Sequence, residues 1–151
     1  MIRFWGQDAV SVGADGRERP IDHDMMRKMR GFEKGMRTRW TFEIQQVSGA
    51  DVTVSLSETS DFYDLLGVGK CTQVVVYTVR DRRVVRSATK TTAYEHGEYR
   101  PVVAAFRAWL LKTPAIGDSS IIREGQLQFT RESAGRLLPW LRAWRRQASQ
   151  P

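Results

Sequence analysis

The middle of the chain alternates apolar and polar positions with the period of two that is typical of half-buried β-strands. A first run, residues 39–47, has three large apolar side chains on one face: Trp40, Phe42 and Ile44. A turn at Ser48–Asp51 leads to a second run, residues 52–58, so the pattern predicts a hairpin with one apolar side. For the two apolar faces to coincide, Ile44 must lie opposite Leu56, which requires a loop of odd length or a β-bulge.

Four more runs extend the predicted sheet. Residues 73–79 are apolar on both faces, as in a central strand that is covered on both sides. After a turn, residues 84–94 are rich in Thr and Val, and their small polar side chains indicate a face that meets solvent, a cavity or a second subunit. Near the N-terminus, Ile2–Val12 is predicted to be a strand onto which Arg17–Ile21 pairs back.

The apolar period changes to that of a helix at Asp22. Four apolar side chains recur at the spacing of one helix face: Met25, Met29, Phe32 and Met36. Asp22 or Asp24 is predicted to be the N-cap. The methionine face is interpreted as core, or as the lining of a ligand site, since methionine adapts to irregular surfaces. A basic calmodulin-type target or a membrane-surface helix is the alternative.

Two further helices are predicted after the sheet. Residues 98–112 form one, with Pro101 in its first turn and Pro114 at its end. Residues 126–129 form a short extended segment, and Thr130 caps the last helix, which Pro139 is expected to kink or split. The whole pattern predicts an α+β fold: a strongly curved, mostly antiparallel sheet that forms a cone, with packing helices and additional C-terminal helices.

The length of 151 residues and the 41% hydrophobic content predict one domain over residues 1–151. Its core is expected at about residues 1–112, with a helical extension at 113–151. No run approaches the roughly 20 apolar residues that span a bilayer, and the N-terminus lacks a signal-peptide pattern, so we expect a cytoplasmic protein without membrane association. The net charge of +7 raises the question of nucleic acid. Because the cations are spread over the whole chain, nucleic-acid binding is not favoured.

The residues that could carry chemistry are few. Cys71 is the single cysteine, which excludes an internal disulfide framework and a cysteine metal cluster. The two histidines, His23 and His96, stand in no spaced set of ligands, so neither a metal nor a cofactor is predicted. The Gly67–Lys70 segment lacks the remaining residues of a phosphate loop and is interpreted as a tight turn. His23, between two aspartates, is the better candidate for proton transfer.

Glu58 and Arg86 lie in runs of otherwise apolar or small residues. One or both are therefore expected to point into the interior of the curved sheet, where a carboxylate needs a partner or a shifted pKa. Together with His23, they are the predicted catalytic residues. A structural ion pair or simple surface exposure is the alternative explanation.

Five segments, in their order along the chain, resemble the SnoaL-like branch of the nuclear-transport-factor-2-like superfamily. They are Trp40–Val47, Gly49–Val54, Glu58–Tyr63, Leu66–Gly69 and Val76–Asp81. The resemblance implies a bent mixed sheet wrapped around a conical pocket, commonly in a dimer. It implies no particular reaction, because the superfamily includes isomerases, cyclases, hydrolases and binding modules. Members usually begin with a helix that closes the cone, and here the C-terminal helices are expected to replace it.

We therefore expect a SnoaL-like protein that binds a small hydrophobic molecule in a conical pocket. The expected lining is Trp40, Phe42, Tyr63, Tyr77, Met25 and Met29. The activity, if the protein is an enzyme, would be metal-free acid–base chemistry of an isomerase, cyclase or hydrolase. The alternative is a non-catalytic homodimeric interaction domain that binds an acidic partner. A helix-grip lipid-binding fold is a third hypothesis, but Pro114 and Pro139 argue against its long closing helix.

Overall fold

The computed structural model describes residues 4–13 and 15–148. The strands are β1 Trp5–Val12, β2 Glu18–Pro20, β3 Arg39–Ser48, β4 Asp51–Thr59, β5 Cys71–Arg80, β6 Arg83–Tyr94, β7 Ile122–Arg123 and β8 Gln126–Leu127. The helices are α1 His23–Gly35, α2 Asp61–Leu66, α3 Tyr99–Leu110 and α4 Arg131–Ala148, with a 3₁₀ helix at Pro114–Gly117. The described chain divides into two compact units, each assembled from three separate stretches of sequence. The single domain expected over residues 1–151 stays a prediction.

The first unit contains most of a six-stranded sheet, and comprises residues 4–27, Trp40–Glu58 and Cys71–Ala93. The strand order is β2-β1-β6-β5-β4-β3. The sheet is curved and not closed, and β1 runs parallel to β6 whereas β4 and β5 are antiparallel. The predicted α+β class and the pairing of β2 with β1 are confirmed. Ile2, which was included in the first predicted strand, lies outside the described residues.

The turn between β5 and β6 determines which side chains share a face. It consists of two residues, Asp81 and Arg82, whose φ angles are 49° and 60°. Two positive φ angles are the requirement of a type I′ hairpin turn, which pairs the residues that flank it. Arg80 therefore lies opposite Arg83, and continuing the ladder places Tyr77 opposite Arg86.

The turn between β3 and β4 also has two residues. The prediction of an odd-length loop or β-bulge, with Ile44 opposite Leu56, was therefore wrong. Gly49 has a φ of 59° and Ala50 follows it, as in a type II′ turn, so Ser48 lies opposite Asp51. Continuing the ladder places Ile44 opposite Ser55 and not opposite Leu56. A loop of two residues, whose backbone twist matches that of the flanking strands, stands where a loop with an odd number of residues or a bulge was expected. The large apolar side chains of β3 consequently lie on the face opposite to Leu56.

The second unit is largely helical and comprises Lys28–Arg39, Thr59–Lys70 and residues 94–148. Its core includes Phe32, Met36, Phe62, Phe106, Leu110, Leu137 and Leu141. Only the second half of the methionine face, Phe32 and Met36, belongs to the core. Met36 is fully buried, whereas Met25 is 60% exposed. Met29 is exposed as well.

The predicted helix starts are largely confirmed. The Asp22 carboxylate accepts hydrogen bonds from the backbone N–H groups of Asp24 and Met25, both at 2.9 Å, so Asp22 caps α1. Thr130 caps α4 in the same way, through the N–H of Ser133. Helix α4 continues through Pro139, so the expected split is wrong and the alternative, a kink at that residue, stays a prediction.

Helix α2 was not predicted. It is a short helix with a cap at each end: the Ser60 hydroxyl accepts a hydrogen bond from the Tyr63 N–H, and Gly67 ends the helix with a φ of 82°. The turn expected at Gly67–Lys70 is therefore partly a helix C-cap.

Candidate functional site

One face of the sheet in the first unit is largely apolar and buried. The register of β4 with β5 places Val54 opposite Val75, Leu56 opposite Gln73 and Glu58 opposite Cys71. Residues that are opposite each other in a sheet point to the same side. We call this side the buried face; its members on these two strands are Val52, Val54, Leu56, Glu58, Cys71, Gln73, Val75 and Tyr77.

Glu58 is the only acidic residue among the four β4 residues of the buried face. It is 8% exposed, and the thiol-bearing Cys71 opposite it is 1% exposed. A carboxyl group at such a position must be hydrogen-bonded, paired or protonated, because an isolated buried charge is costly. The same condition makes buried carboxyl groups effective acids and bases. Glu58 is therefore buried, and its predicted catalytic role stays a prediction.

Tyr77 is another polar residue of the buried face. It lies opposite Val52, and its ring packs edge-to-face against Trp5 with the ring centroids 6.1 Å apart. Burial raises the pKa of the Tyr77 phenol above its usual value near 10. The phenol therefore stays protonated near neutral pH and is available as a hydrogen-bond donor.

Arg86 shares the buried face with Glu58, but the two side chains are not brought together. The β5–β6 turn places Arg86 opposite Tyr77, which is six positions from Cys71 along β5. Six residues of strand span about 20 Å. The Arg86 guanidinium instead contacts Glu18, with its Nε 3.3 Å from Oε1 of that residue. Both side chains of this ion pair are largely exposed, so its contribution to stability is small.

The buried face is closed at one end and open at the other. Glu58 and Cys71 are buried at the closed end, whereas Leu56, Gln73 and Tyr77 are only half-buried. At the far end the Arg86 side chain is 43% exposed. Val54 and Val75, which lie between the two ends, are also buried, so the accessible part of this face is the end with Tyr77 and Arg86.

His23 is the first residue of α1 and also belongs to the first unit. Its Nε2 atom is buried and has no hydrogen-bond partner among the described residues. Most buried polar atoms in native proteins have a partner, so an atom without one needs an explanation. A bound molecule or a water that supplies the missing hydrogen bond is one explanation.

The predicted apolar lining is dispersed. The register of β3 puts Trp40 and Phe42 on the outer face of the sheet, which is the face away from the Glu58 side chain. Phe42 is 73% exposed there. Met25 and Met29 are exposed on α1. Tyr63 lies in the second unit, where its ring packs against Tyr94 and Tyr99 with both centroid distances at 5.7 Å. Of the six residues, only Tyr77 shares the buried face with Glu58.

Sequence reasoning missed Gln73 and Cys71 as neighbours of Glu58. The Gln73 side-chain amide lies 3.8 Å from the Cys71 sulfur, on the same face. The period of two within each strand was visible in the sequence. Which residue of β5 lies opposite Glu58 was not, because α2 intervenes between the two strands and hides the register.

Among residues 4–13 and 15–148, no group of three His, Cys, Asp or Glu side chains could hold a metal ion. Within the same ranges, no helix is both long and apolar enough to cross a membrane.

No protein-family model and no curated protein matches this chain. Solved structures do. AclR, a proposed hydroxylase from Streptomyces galilaeus, matches with a TM-score of 0.44 and 17% identity, over 69% of this chain and 79% of its own. A proposed ketosteroid isomerase from Kribbella flavida matches with a TM-score of 0.40 and 16% identity, over 66% of this chain and 67% of its own. At these TM-scores and identities, neither a family nor an activity is inferred from the two structures.

Proposed function

We propose that this protein binds a small, largely apolar molecule against the buried face of its sheet, with Glu58 at the enclosed end of the site. The observation that carries the proposal is the burial of the Glu58 carboxyl group on a face made mainly of apolar side chains. Small-molecule sites combine an apolar lining with a few placed polar groups. The half-buried residues toward Tyr77 give the molecule a route of entry.

The polar groups suit metal-free acid–base chemistry of the isomerase, cyclase or hydrolase type. Glu58 would accept or return a proton at the enclosed end of the site. Tyr77, whose phenol stays protonated, would donate a hydrogen bond to an oxygen of the bound molecule. His23 Nε2 is a further group that a ligand could satisfy. We also propose a cytoplasmic location, because a chain with one cysteine forms no internal disulfide.

Mass spectrometry of the purified protein under native conditions would test the proposal first, by detecting a co-purified small molecule. Titration with 2-naphthol, a neutral and largely apolar molecule whose hydroxyl can donate a hydrogen bond to the Glu58 carboxyl group, would then compare the wild type with Glu58→Gln. Loss of a hydrogen bond to a charged group corresponds to roughly ten- to a hundredfold weaker binding.

Glu98→Gln is the matched control for this titration. It makes the same chemical change at an exposed residue of the second unit, away from the buried face, so it should leave binding unchanged. Equal affinities for the wild type and Glu58→Gln would remove Glu58 from the site. Absence of any saturable binding would remove the site itself.

The second candidate function is that of a homodimeric interaction domain. The outer face of β3 carries three large apolar side chains in one row, Trp40, Phe42 and Ile44, and Ile44 is 58% exposed. Exposed apolar patches of this kind are typical of protein interfaces. Strand β3 is also an edge strand, whose unpaired backbone groups favour association.

Sedimentation equilibrium of the wild type and of Phe42→Ser would test this candidate. We expect a dimer that dissociates at least tenfold more readily after the substitution, since a central aromatic side chain often dominates an interface. Val47→Ser is the control, because Val47 is 64% exposed on the same strand but points to the other face. A monomeric wild type, or equal effects of the two substitutions, would contradict the outer-face dimer.

A further inference from the structure

The second unit contains a groove that is unrelated to the buried face. It lies between α3 and the segment that includes β8, and its volume is about 290 Å³. Apolar side chains and two arginines line it, chiefly Arg100, Val103, Arg107, Gln126, Leu127 and Phe129. We propose that this groove binds a small apolar molecule that carries one carboxylate group.

The residues from α3 lie on one side of that helix. Arg100, Val103, Ala104 and Arg107 have the spacing i, i+3, i+4 and i+7, which brings side chains onto a single helix face. This face adjoins the core, because Val103 packs partly against it and the buried Leu110 follows Val103 by seven residues. The groove therefore lies at the edge of the core, with Arg100 and Ala104 exposed on its outer side.

The aromatic part of the groove is held in place by the core. The ring of Phe129 packs edge-to-face against Phe32 at 5.0 Å and against Phe62 at 6.1 Å. The ring of Tyr99, which also lines the groove, is stacked on Tyr94 at 5.2 Å. Side chains that are fixed by packing lose little entropy when a ligand binds.

The opposite strand is equally well fixed. The hairpin β7–β8 pairs Arg123 with Gln126 across a two-residue turn. Both turn residues, Glu124 and Gly125, have positive φ angles, as a type I′ turn requires. Gln126 is thereby held at the rim of the groove, opposite α3.

The charge of the groove selects the ligand. Arg107 Nη1 donates a hydrogen bond of 2.9 Å to Gln126 Oε1, which holds the guanidinium at the rim while its other N–H groups remain available. Within residues 4–13 and 15–148, neither Arg100 nor Arg107 forms an ion pair, and no acidic side chain lines the groove. Two guanidinium groups without an acidic partner, next to the apolar lining of the groove, complement a ligand that has a carboxylate attached to an apolar group.

The size of the groove limits the ligand further. Its volume lies at the lower end of the range of about 300–1,000 Å³ found for small-molecule sites. Arg100 and Arg107 are seven residues apart, which is about 10 Å along a helix, so both long side chains can reach one carboxylate between them. A compact aromatic or short aliphatic carboxylate fits these dimensions.

Isothermal titration calorimetry with 2-naphthoate would test the proposal, with 2-naphthalenemethanol as the neutral analogue of similar shape. We expect one saturable site for the carboxylate and at least tenfold weaker binding of the alcohol. Arg107→Gln should weaken binding of the carboxylate roughly ten- to a hundredfold, as the loss of a charged hydrogen bond predicts. Arg100→Gln should have a smaller effect in the same direction.

Two more variants make the result specific to the groove. Arg142→Gln removes an exposed arginine of α4 that does not line the groove, so its affinity should equal that of the wild type. Ala104→Phe adds a ring at the exposed wall of the groove and should abolish binding, while circular dichroism shows that the fold is kept. Equal affinities for the acid and the alcohol, unchanged binding in Arg107→Gln or Ala104→Phe, or no saturable binding would each overturn the proposal.

Discussion

The contact between α1 and α4 leads to the sharpest prediction. Gly35 is the last residue of α1, and a Cβ atom added there would lie closer than 3.0 Å to the Cβ of Ala134, a fully buried residue of α4. Carbon atoms in contact prefer separations of about 3.5–4.0 Å. Gly35→Ala therefore forces the two helices apart by roughly 1 Å, in a core that has little space to absorb it.

Two opposing contributions decide whether Gly35→Ala raises or lowers the free energy of unfolding. Replacing glycine by alanine in a helix stabilises by about 0.5–1 kcal/mol through backbone entropy. Overpacking a core typically costs about 1–3 kcal/mol. Because Gly35 is at the end of α1, the favourable term is small, and we expect a net loss of about 1–2 kcal/mol. For a chain of this size, that loss lowers Tm by about 2–8 °C.

Urea denaturation followed by far-UV circular dichroism would measure the effect. Gly135→Ala is the matched control, since an added Cβ at Gly135 in α4 meets nothing within 4 Å. It should raise the free energy of unfolding by about 0.5–1 kcal/mol. The double variant Gly35→Ala/Ala134→Gly should lose less stability than the sum of the single changes, because the second substitution restores the space. A Gly35→Ala protein as stable as Gly135→Ala would refute the close contact.

Three further predictions concern capping, turn geometry and pH. Ser133→Ala removes a buried hydroxyl that accepts from the Thr130 N–H at 2.9 Å and donates to the Gln128 carbonyl at 2.6 Å, so chemical denaturation should show a loss of about 1–3 kcal/mol; an unchanged stability would contradict these bonds. Arg82→Gly relieves a left-handed backbone conformation that costs about 1–2 kcal/mol for a residue with a side chain, so the melting temperature should rise, and a fall would argue against the turn. The pKa of the Asp118 carboxyl group is lowered, chiefly by the hydrogen bond from the Ser120 hydroxyl and next by the one from Arg136. Ionised Asp118 therefore stabilises the fold above its unfolded pKa of about 4, and this stabilisation is lost as pH falls through the lower folded pKa. Melting temperatures of the wild type and Asp118→Asn should therefore differ at pH 7 and converge in acid, and a constant difference would contradict this coupling.

Local patterns were sufficient to predict most of the elements. The period of two along residues 39–47 and 84–94 corresponds to β3 and β6, and Asp22 and Thr130 cap the helices that were expected to follow them. These features depend on residues close together in sequence, where side-chain period and capping chemistry are decisive.

Features that depend on distant residues were not predictable. Helix α2 interrupts the sheet, so counting along the chain could not place Glu58 opposite Cys71. Glycine is a weak helix former, and only the position of Ala134 explains why Gly35 stands at the end of α1. The groove beside α3 was missed because Arg107 and Gln126 meet only once the β7–β8 hairpin has formed.

The β3–β4 turn connects this limit to the two candidate functions. Because side chains alternate between the faces of a strand, one residue more or less in the loop would move Trp40 and Phe42 to the side of Glu58. The sequence pattern favoured that arrangement, since it collects apolar side chains on one face. The positive φ of Gly49 selects the other arrangement, in which the aromatic row leaves the buried face and becomes available to a second subunit. A single turn type therefore separates the proposed small-molecule site on one face from the proposed partner surface on the other.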